Sequence, residues 1–152
     1  MEQSITNCNI AEIQVSYKTN VRASERRKII TSKEAENAFR NFWSDGMELR
    51  EEFYILLLNR ANRVLGWYKL SQGGTAGTVV DSKLVFSIAL KGLACSIILA
   101  HNHPSSNLQP SDSDISLTKR LKQAGEILEI SVFDHLILTT EGYYSFADEG
   151  MI

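Results

Sequence analysis

The segment His101-Asn102-His103-Pro104, closing on Ser111-Asp112-Ser113-Asp114, carries the residue types best suited to chemistry. Two histidines stand at i and i+2 directly after an apolar run. In extended backbone that spacing sends both imidazoles to one face. The strand is rigid and a loop begins at its end, so the ring nitrogens are expected at an edge open to solvent. Ten residues separate His103 from Asp114, and Pro104 and Pro110 stiffen the connection. If the loop folds back, Asp114, in the first turn of the next helix, supplies an oxygen. Two neutral imidazoles and one carboxylate form a catalytic zinc shell with one position left for water. Zinc there would lower the pKa of that water to about 7.

Each piece also has a purely structural reading. Ser111-x-x-Asp114 is a helix-capping pattern, in which Ser111 caps and Asp114 favours the positive helix end. The capping and metal readings are compatible, because a helix start is a good place to fix a ligand. The sequence also spends two of its three histidines within three positions. His135 beside Asp134 reads as a structural histidine at a strand start, hydrogen-bonded to the chain rather than to a metal.

The elements around this segment must position it. Ile13, Val15 and Tyr17 alternate with polar neighbours and predict a half-exposed strand. Arg22, Arg26, Arg27 and Lys28 form a basic cluster read as a solvated stretch. Thr31 with Glu34 is a capping box and predicts a helix over 32–43, with Ala35, Ala38, Phe39 and Phe42 inward. Phe53 to Leu58 predicts a strand buried on both faces, paired through a turn at 59–62 with a second strand over 64–70. Ser71 to Thr78, with Gly73, Gly74 and Gly77, reads as a loop, and it lacks the phosphate-cradling P-loop pattern. Asp81 or Ser82 caps a helix over 83–93, with Leu84, Val85, Ile88 and Ala89 inward. Strands follow at 95–100, 130–133, 136–139 and 143–146, with a helix over 112–124 that Gly125 stops. Helices alternating with strands imply an α/β layered domain with a C-terminal antiparallel hairpin.

Composition removes several classes. A chain of 152 residues forms one domain with a core that needs no staples. Apolar residues make up 43% and charged residues 22%, an ordinary globular balance. A net charge of -2 gives no support to autonomous nucleic-acid binding. The apolar stretch Leu93 to Ala100 is too short for a bilayer, and no secretory signal opens the chain. Cys8 and Cys95 fit neither a disulfide framework nor a CxxC zinc site, and Cys95 reads as a buried free thiol. A cytoplasmic setting is expected. Nothing in the pattern specifies an oligomeric state.

His101-Asn102-His103-Pro104, six residues and then Ser111-x-x-Asp114 resemble the JAMM motif of JAB/MPN-domain metallopeptidases. Ile98 to Ser105, Leu117 to Leu121 and Asp134-His135-Leu136-Ile137 resemble the bacterial RadC-like branch. The similarity runs over 49–152, with 1–48 as an N-terminal strand and helix of the same single domain. It implies a JAB/MPN-like (cytidine-deaminase-like) layered sheet with flanking helices. It also implies zinc held by His101, His103 and Asp114, and hydrolysis of peptide or isopeptide bonds in an unidentified peptide or protein. In that family the serine, here Ser111, helps hold the oxyanion, and an upstream glutamate handles the water proton. Arg50-Glu51-Glu52-Phe53 resembles the family's Glu-x-Phe and assigns that role to Glu51. Strand alternation would send Glu52 to the opposite face.

Two other functions compete with this one. One is an interaction or accessory module of a DNA-repair or mobile-element system. Many RadC-like proteins carry a helix-hairpin-helix DNA-binding region, but residues 1–48 show no such glycine-turn pattern. The other is a zinc nucleobase deaminase, which needs HxE followed by PCxxC and is not supported by His101-Asn102-His103 and two isolated cysteines.

Overall fold

The structure is a computed structural model that describes residues 9–73 and 79–152. Five strands form one sheet, flanked by three α-helices: α1 (Ser32–Arg40), β1 (Glu52–Leu58), β2 (Val64–Gln72), α2 (Ser82–Lys91), β3 (Ser96–Asn102), α3 (Asp112–Ile127), β4 (Ser131–Leu138) and β5 (Tyr143–Ser145). The strand order is β2-β1-β3-β4-β5. β3 and β4 run parallel, joined through α3, and the other neighbours are antiparallel. This is the α/β layered sheet with a C-terminal antiparallel hairpin. Among the described residues no helix is long and apolar enough to cross a membrane.

β1 and β3 lie at the centre, and every residue of both is buried. The period of two divides their side chains between two cores. Phe53, Ile55, Leu57, Ile97 and Leu99 pack with Val85, Phe86, Ala89 of α2 and Leu121 of α3. Tyr54, Leu56, Leu58, Ile98 and Ala100 pack with Ala35, Ala38 and Phe39 of α1. The same parity runs on to the strand ends, and Phe53 stands directly opposite His101. α1 is held to the far edge by Arg40, which donates to Glu36 at 2.7 Å and to the carbonyls of Thr139 and Gly142 at 2.9 and 3.1 Å.

Several sequence expectations are corrected. Residues 13–17 form no strand, and Ile13 and Val15 are exposed. The segment lies beside edge strand β2 without extending its ladder, and Tyr17 reaches it through a side chain, donating its hydroxyl to the Leu65 carbonyl. α1 ends at Arg40, short of Trp43. β2 runs to Gln72, into the segment read as loop, while residues 74–78 of that loop lie outside the described residues, as does Cys8. α2 ends at Lys91 and buries Val85, Phe86 and Ala89, while Leu84 and Ile88 are only half-buried. Cys95 is a free thiol but only half-buried.

Gly125 does not stop α3. It sits inside the helix, where a Cβ would lie 2.3 Å from the Ile130 carbonyl oxygen, so glycine serves a close approach of backbone to backbone. The stop is Glu129, in left-handed conformation (φ 57°). The Ile130 N–H closes onto the Gly125 carbonyl at 2.8 Å and the Glu129 N–H onto Glu126 at 3.3 Å, a Schellman ending. The two strands expected at 130–133 and 136–139 are one, β4. Asp134 and His135 do not interrupt it, because both are buried and their side chains find partners on neighbouring elements, Ser145 on β5 and Thr118 on α3.

Candidate metal centre

His101 is the penultimate residue of β3 and is 1% exposed, so it is not at an open edge as its position suggested. Its ring stacks on Phe53, with centroids 5.7 Å apart and planes 1° from parallel. His103 lies just beyond the strand. Its N–H donates to the Leu138 carbonyl at 3.0 Å, which ties the outgoing chain to β4. The loop then doubles back through Ser106 in left-handed conformation, and the Ser106 N–H returns to the His103 carbonyl. This turn sets the His103 Nδ1 2.6 Å from the Asn107 carbonyl oxygen.

The loop delivers α3 with a complete capping box. The Ser111 hydroxyl accepts from the Asp114 N–H at 3.1 Å, and the Asp114 carboxylate accepts from the Ser111 N–H at 2.8 Å. That carboxylate also faces the histidines. Asp114 Oδ1 lies 3.3 Å from His101 Nε2 and Oδ2 lies 3.3 Å from His103 Nε2, while the two Nε2 atoms are 3.0 Å apart. The ligand atoms of His101, His103 and Asp114 all fall within 4.8 Å of one another.

These atoms are an unusual set to crowd together. A carbonyl oxygen can only accept, so the Asn107 contact requires the proton of a neutral His103 to sit on Nδ1 and leaves its Nε2 bare. Lone pairs of nitrogen and carboxylate oxygen then converge, and they repel unless a positive species stands among them. The groups register this demand. The hydrogen bond that a protonated His103 donates to Asp114 raises the His103 pKa above its ordinary value, against the opposing effect of burial. Burial acts to raise the Asp114 pKa, but the His101 and His103 rings, once protonated, outweigh it by donating to the carboxylate and hold it well below the usual range. The donor set, aimed at one point, fits a divalent metal ion.

Glu51 and Glu52 separate at the start of β1. Glu51 shares a cavity of about 240 Å³ with Asp114, Phe53, Leu117 and Arg120. Burial raises its pKa, and the charges of His101 and His103 pull it back in part. Glu52 is fully buried on the opposite face, where it accepts from Lys69 at 2.7 Å and from the hydroxyls of Ser44 and Tyr54. Burial acts to raise its pKa, but the Lys69 contact and the hydroxyls lower it overall.

Two neighbours, Asn102 and Thr118, escaped the sequence reading, and His135 takes partners it did not name. Asn102 is fully buried on the α1 side of β3. It accepts from the Glu52 N–H at 2.7 Å and donates to the carbonyls of Met47 and Arg50 at 2.7 and 2.9 Å, bracketing Glu51. His135 is in the middle of β4 and is fully buried. Its ring is hydrogen-bonded to the protein through side chains: His101 Nδ1 lies 2.8 Å from its Nε2, and Thr118 Oγ1 lies 2.6 Å from its Nδ1. Thr118 also donates to the Asp114 carbonyl at 2.7 Å. The available signals were Thr118 one helical turn after Asp114 and Asn102 between the two histidines.

Known proteins place this geometry in context. The RadC-like JAB domain family matches residues 29–151, so the match takes in α1. A UPF0758 protein of Flavobacterium johnsoniae is 52% identical over 101 residues, covering 66% of this chain and 44% of that protein. UPF0758 proteins of Porphyromonas gingivalis and Geotalea uraniireducens are 39% and 34% identical over 94% and 95% of this chain, and each is covered to 63% of its length. The chain therefore spans about half to two thirds of these relatives.

Proposed function

The chain belongs to the RadC-like JAB domain family, and from that premise we propose that it is a zinc-dependent metallohydrolase that cleaves peptide or isopeptide bonds. The observation that carries this reading is the convergence of His101, His103 and Asp114 beside the cavity that Glu51 lines. His101 and His103 would hold the ion through Nε2 and Asp114 through its carboxylate, the two-imidazole, one-carboxylate set of catalytic zinc sites. Zinc held there supplies Lewis-acid polarisation of a water molecule and of the scissile carbonyl.

The chain's own groups do the rest. Glu51 takes the proton from the attacking water and passes it to the leaving amine nitrogen. Its raised pKa suits a group that must both accept and release a proton. The Ser111 hydroxyl, while accepting from the Asp114 N–H, has its own proton free to donate to the oxyanion. Asn102 holds the backbone on either side of Glu51, and Phe53 walls one side of His101. Phe53, Val79, Val80 and Leu117 give the cavity an apolar wall, and Arg120 gives it a cation for a substrate carbonyl or carboxylate. The free thiol of Cys95 suits a reducing, cytoplasmic setting.

The test is cleavage of a peptide library and of lysine-isopeptide conjugates, read by mass spectrometry. Products are expected with zinc-loaded wild type and not with the metal-stripped protein or with Glu51→Gln. Equal products from wild type and Glu51→Gln would contradict the mechanism. A zinc-loaded wild type that cleaves neither library would favour an accessory module of a DNA-repair or mobile-element system instead.

A further inference from the structure

We propose that His135 and Thr118 are positioning residues that fix the proton of His101 on Nδ1 and so present its bare Nε2 to the metal; this rests on the metal-site reading above. One chain of contacts fixes where each proton sits. The Asp114 carbonyl oxygen and the Thr118 hydroxyl oxygen are 2.7 Å apart, and only the hydroxyl can supply the proton between them. That proton is then spent. The 2.6 Å contact between Thr118 Oγ1 and His135 Nδ1 therefore requires the proton on His135 Nδ1. A neutral His135 with its proton there has a bare Nε2. The 2.8 Å contact between that Nε2 and His101 Nδ1 then requires the proton on His101 Nδ1. In a neutral His101 the other nitrogen, Nε2, is left with a free lone pair, and it is the atom that faces Asp114 and His103.

A doubly protonated His101 keeps its Nδ1 proton and so leaves the relay unchanged; an assignment that moves that proton makes His135 a cation that donates from both nitrogens. Its surroundings oppose this. His135 is 0% exposed, its ring stacks on Phe146 at 4.8 Å with planes 11° apart, and Phe53 stands 5.4 Å away. An imidazolium in such a slot has lost its hydration without gaining a carboxylate against the ring. The backbone route closes the circuit: Thr118 hangs from the carbonyl of Asp114, itself a ligand, one turn along α3. The relay thus ties ligands on β3 and α3 through β4, the kind of outer-shell contact whose loss costs about 10–100-fold in metal affinity.

Two measurements test this. Long-range ¹H–¹⁵N spectra of the imidazoles in metal-free wild type should show His135 and His101 both as Nδ1–H tautomers. His135 as the Nε2–H tautomer would overturn the proposal without any variant being made. Zinc affinity, measured by competition with a chromophoric chelator, should fall about 10–100-fold in His135→Leu and in Thr118→Val. His135→Gln, whose side-chain carbonyl can accept from His101 Nδ1, should recover most of the loss. Thr118→Val should add little once His135 is Leu, because the relay is already cut. A folded His135→Leu that binds zinc as tightly as wild type would overturn this inference alone. A wild type that binds no zinc would overturn the metal reading and this inference with it.

Discussion

At the start of α1 the Thr31 hydroxyl accepts from the Glu34 N–H at 3.2 Å, and the Glu34 carboxylate accepts from the Thr31 N–H at 3.0 Å. At the start of α3 Ser111 and Asp114 repeat both bonds at 3.1 and 2.8 Å. The two helix starts are the same local solution to the same problem, the orphan N–H groups of a first turn. They differ in what lies beyond the box. Glu34 adds a further backbone donor, Ile30, on the same oxygen and faces no imidazole. Asp114 has a shorter arm and turns both oxygens toward imidazoles delivered from β3. A capping box becomes a candidate metal site only through tertiary delivery: the His103 to Ser106 turn brings α3 back over the end of the sheet.

The largest expected contrast is in metal. Asp114→Ala should weaken zinc binding more than 100-fold, beyond the about 10–100-fold that outer-shell changes cost. Glu34→Ala should leave zinc affinity unchanged and lower thermal stability modestly. Isothermal titration and melting curves on both variants check this, and equal zinc affinity in the two would erase the distinction. The neighbouring carboxylates at β1 give the next contrast. Glu51→Gln should retain zinc and lose about 10²–10⁴ in turnover. Glu52→Gln should keep turnover but lose about 1.5–3 kcal/mol of stability, since it weakens a buried charge-assisted bond to Lys69. Denaturant unfolding beside steady-state kinetics separates them.

The capping hydroxyls sharpen the comparison further. Thr31→Ala and Ser111→Ala should each cost about 1 kcal/mol of stability. Only Ser111→Ala should also lower turnover, by about 10²–10³-fold, if its hydroxyl donates to the oxyanion. Full activity in Ser111→Ala would leave it a cap like Thr31. The smallest effect is in pH. In metal-free protein His103 has a raised pKa, so its contribution is full below its ordinary 6.5 and fades as pH rises through the raised value. Asp114 has a lowered pKa, so its contribution is present above its ordinary 3.8 and fades as pH falls. The stability difference between wild type and His103→Gln should therefore be greatest between about pH 4 and 6.5, and zinc should move it to higher pH, because metal displaces the proton. An unchanged pH profile on adding zinc would place the ion elsewhere.

What the sequence revealed was local or strictly periodic. The capping boxes at Thr31 and Ser111, the wholly apolar β1 and the shared face of His101 and His103 follow from spacing alone. So does the division of Glu51 from Glu52, once a strand is drawn through Phe53. What escaped depends on partners distant in the chain. Gly125 resembles a helix stop until the Ile130 carbonyl is seen against it. Asp134-His135 resembles a strand break until Ser145 and Thr118 are found bonded to those side chains. Ile13 to Tyr17 alternates like a strand, but alternation cannot announce that no edge is paired with it.

The central claim is that His101, His103 and Asp114 bind one zinc ion. An anomalous difference map at the zinc absorption edge, from crystals grown with one equivalent of zinc, tests it most directly. The account predicts one strong peak about 2.0–2.1 Å from Nε2 of both histidines and about 2.0–2.2 Å from an Asp114 oxygen. A map with no peak among these three side chains, or with its strongest peak on other residues, would contradict it.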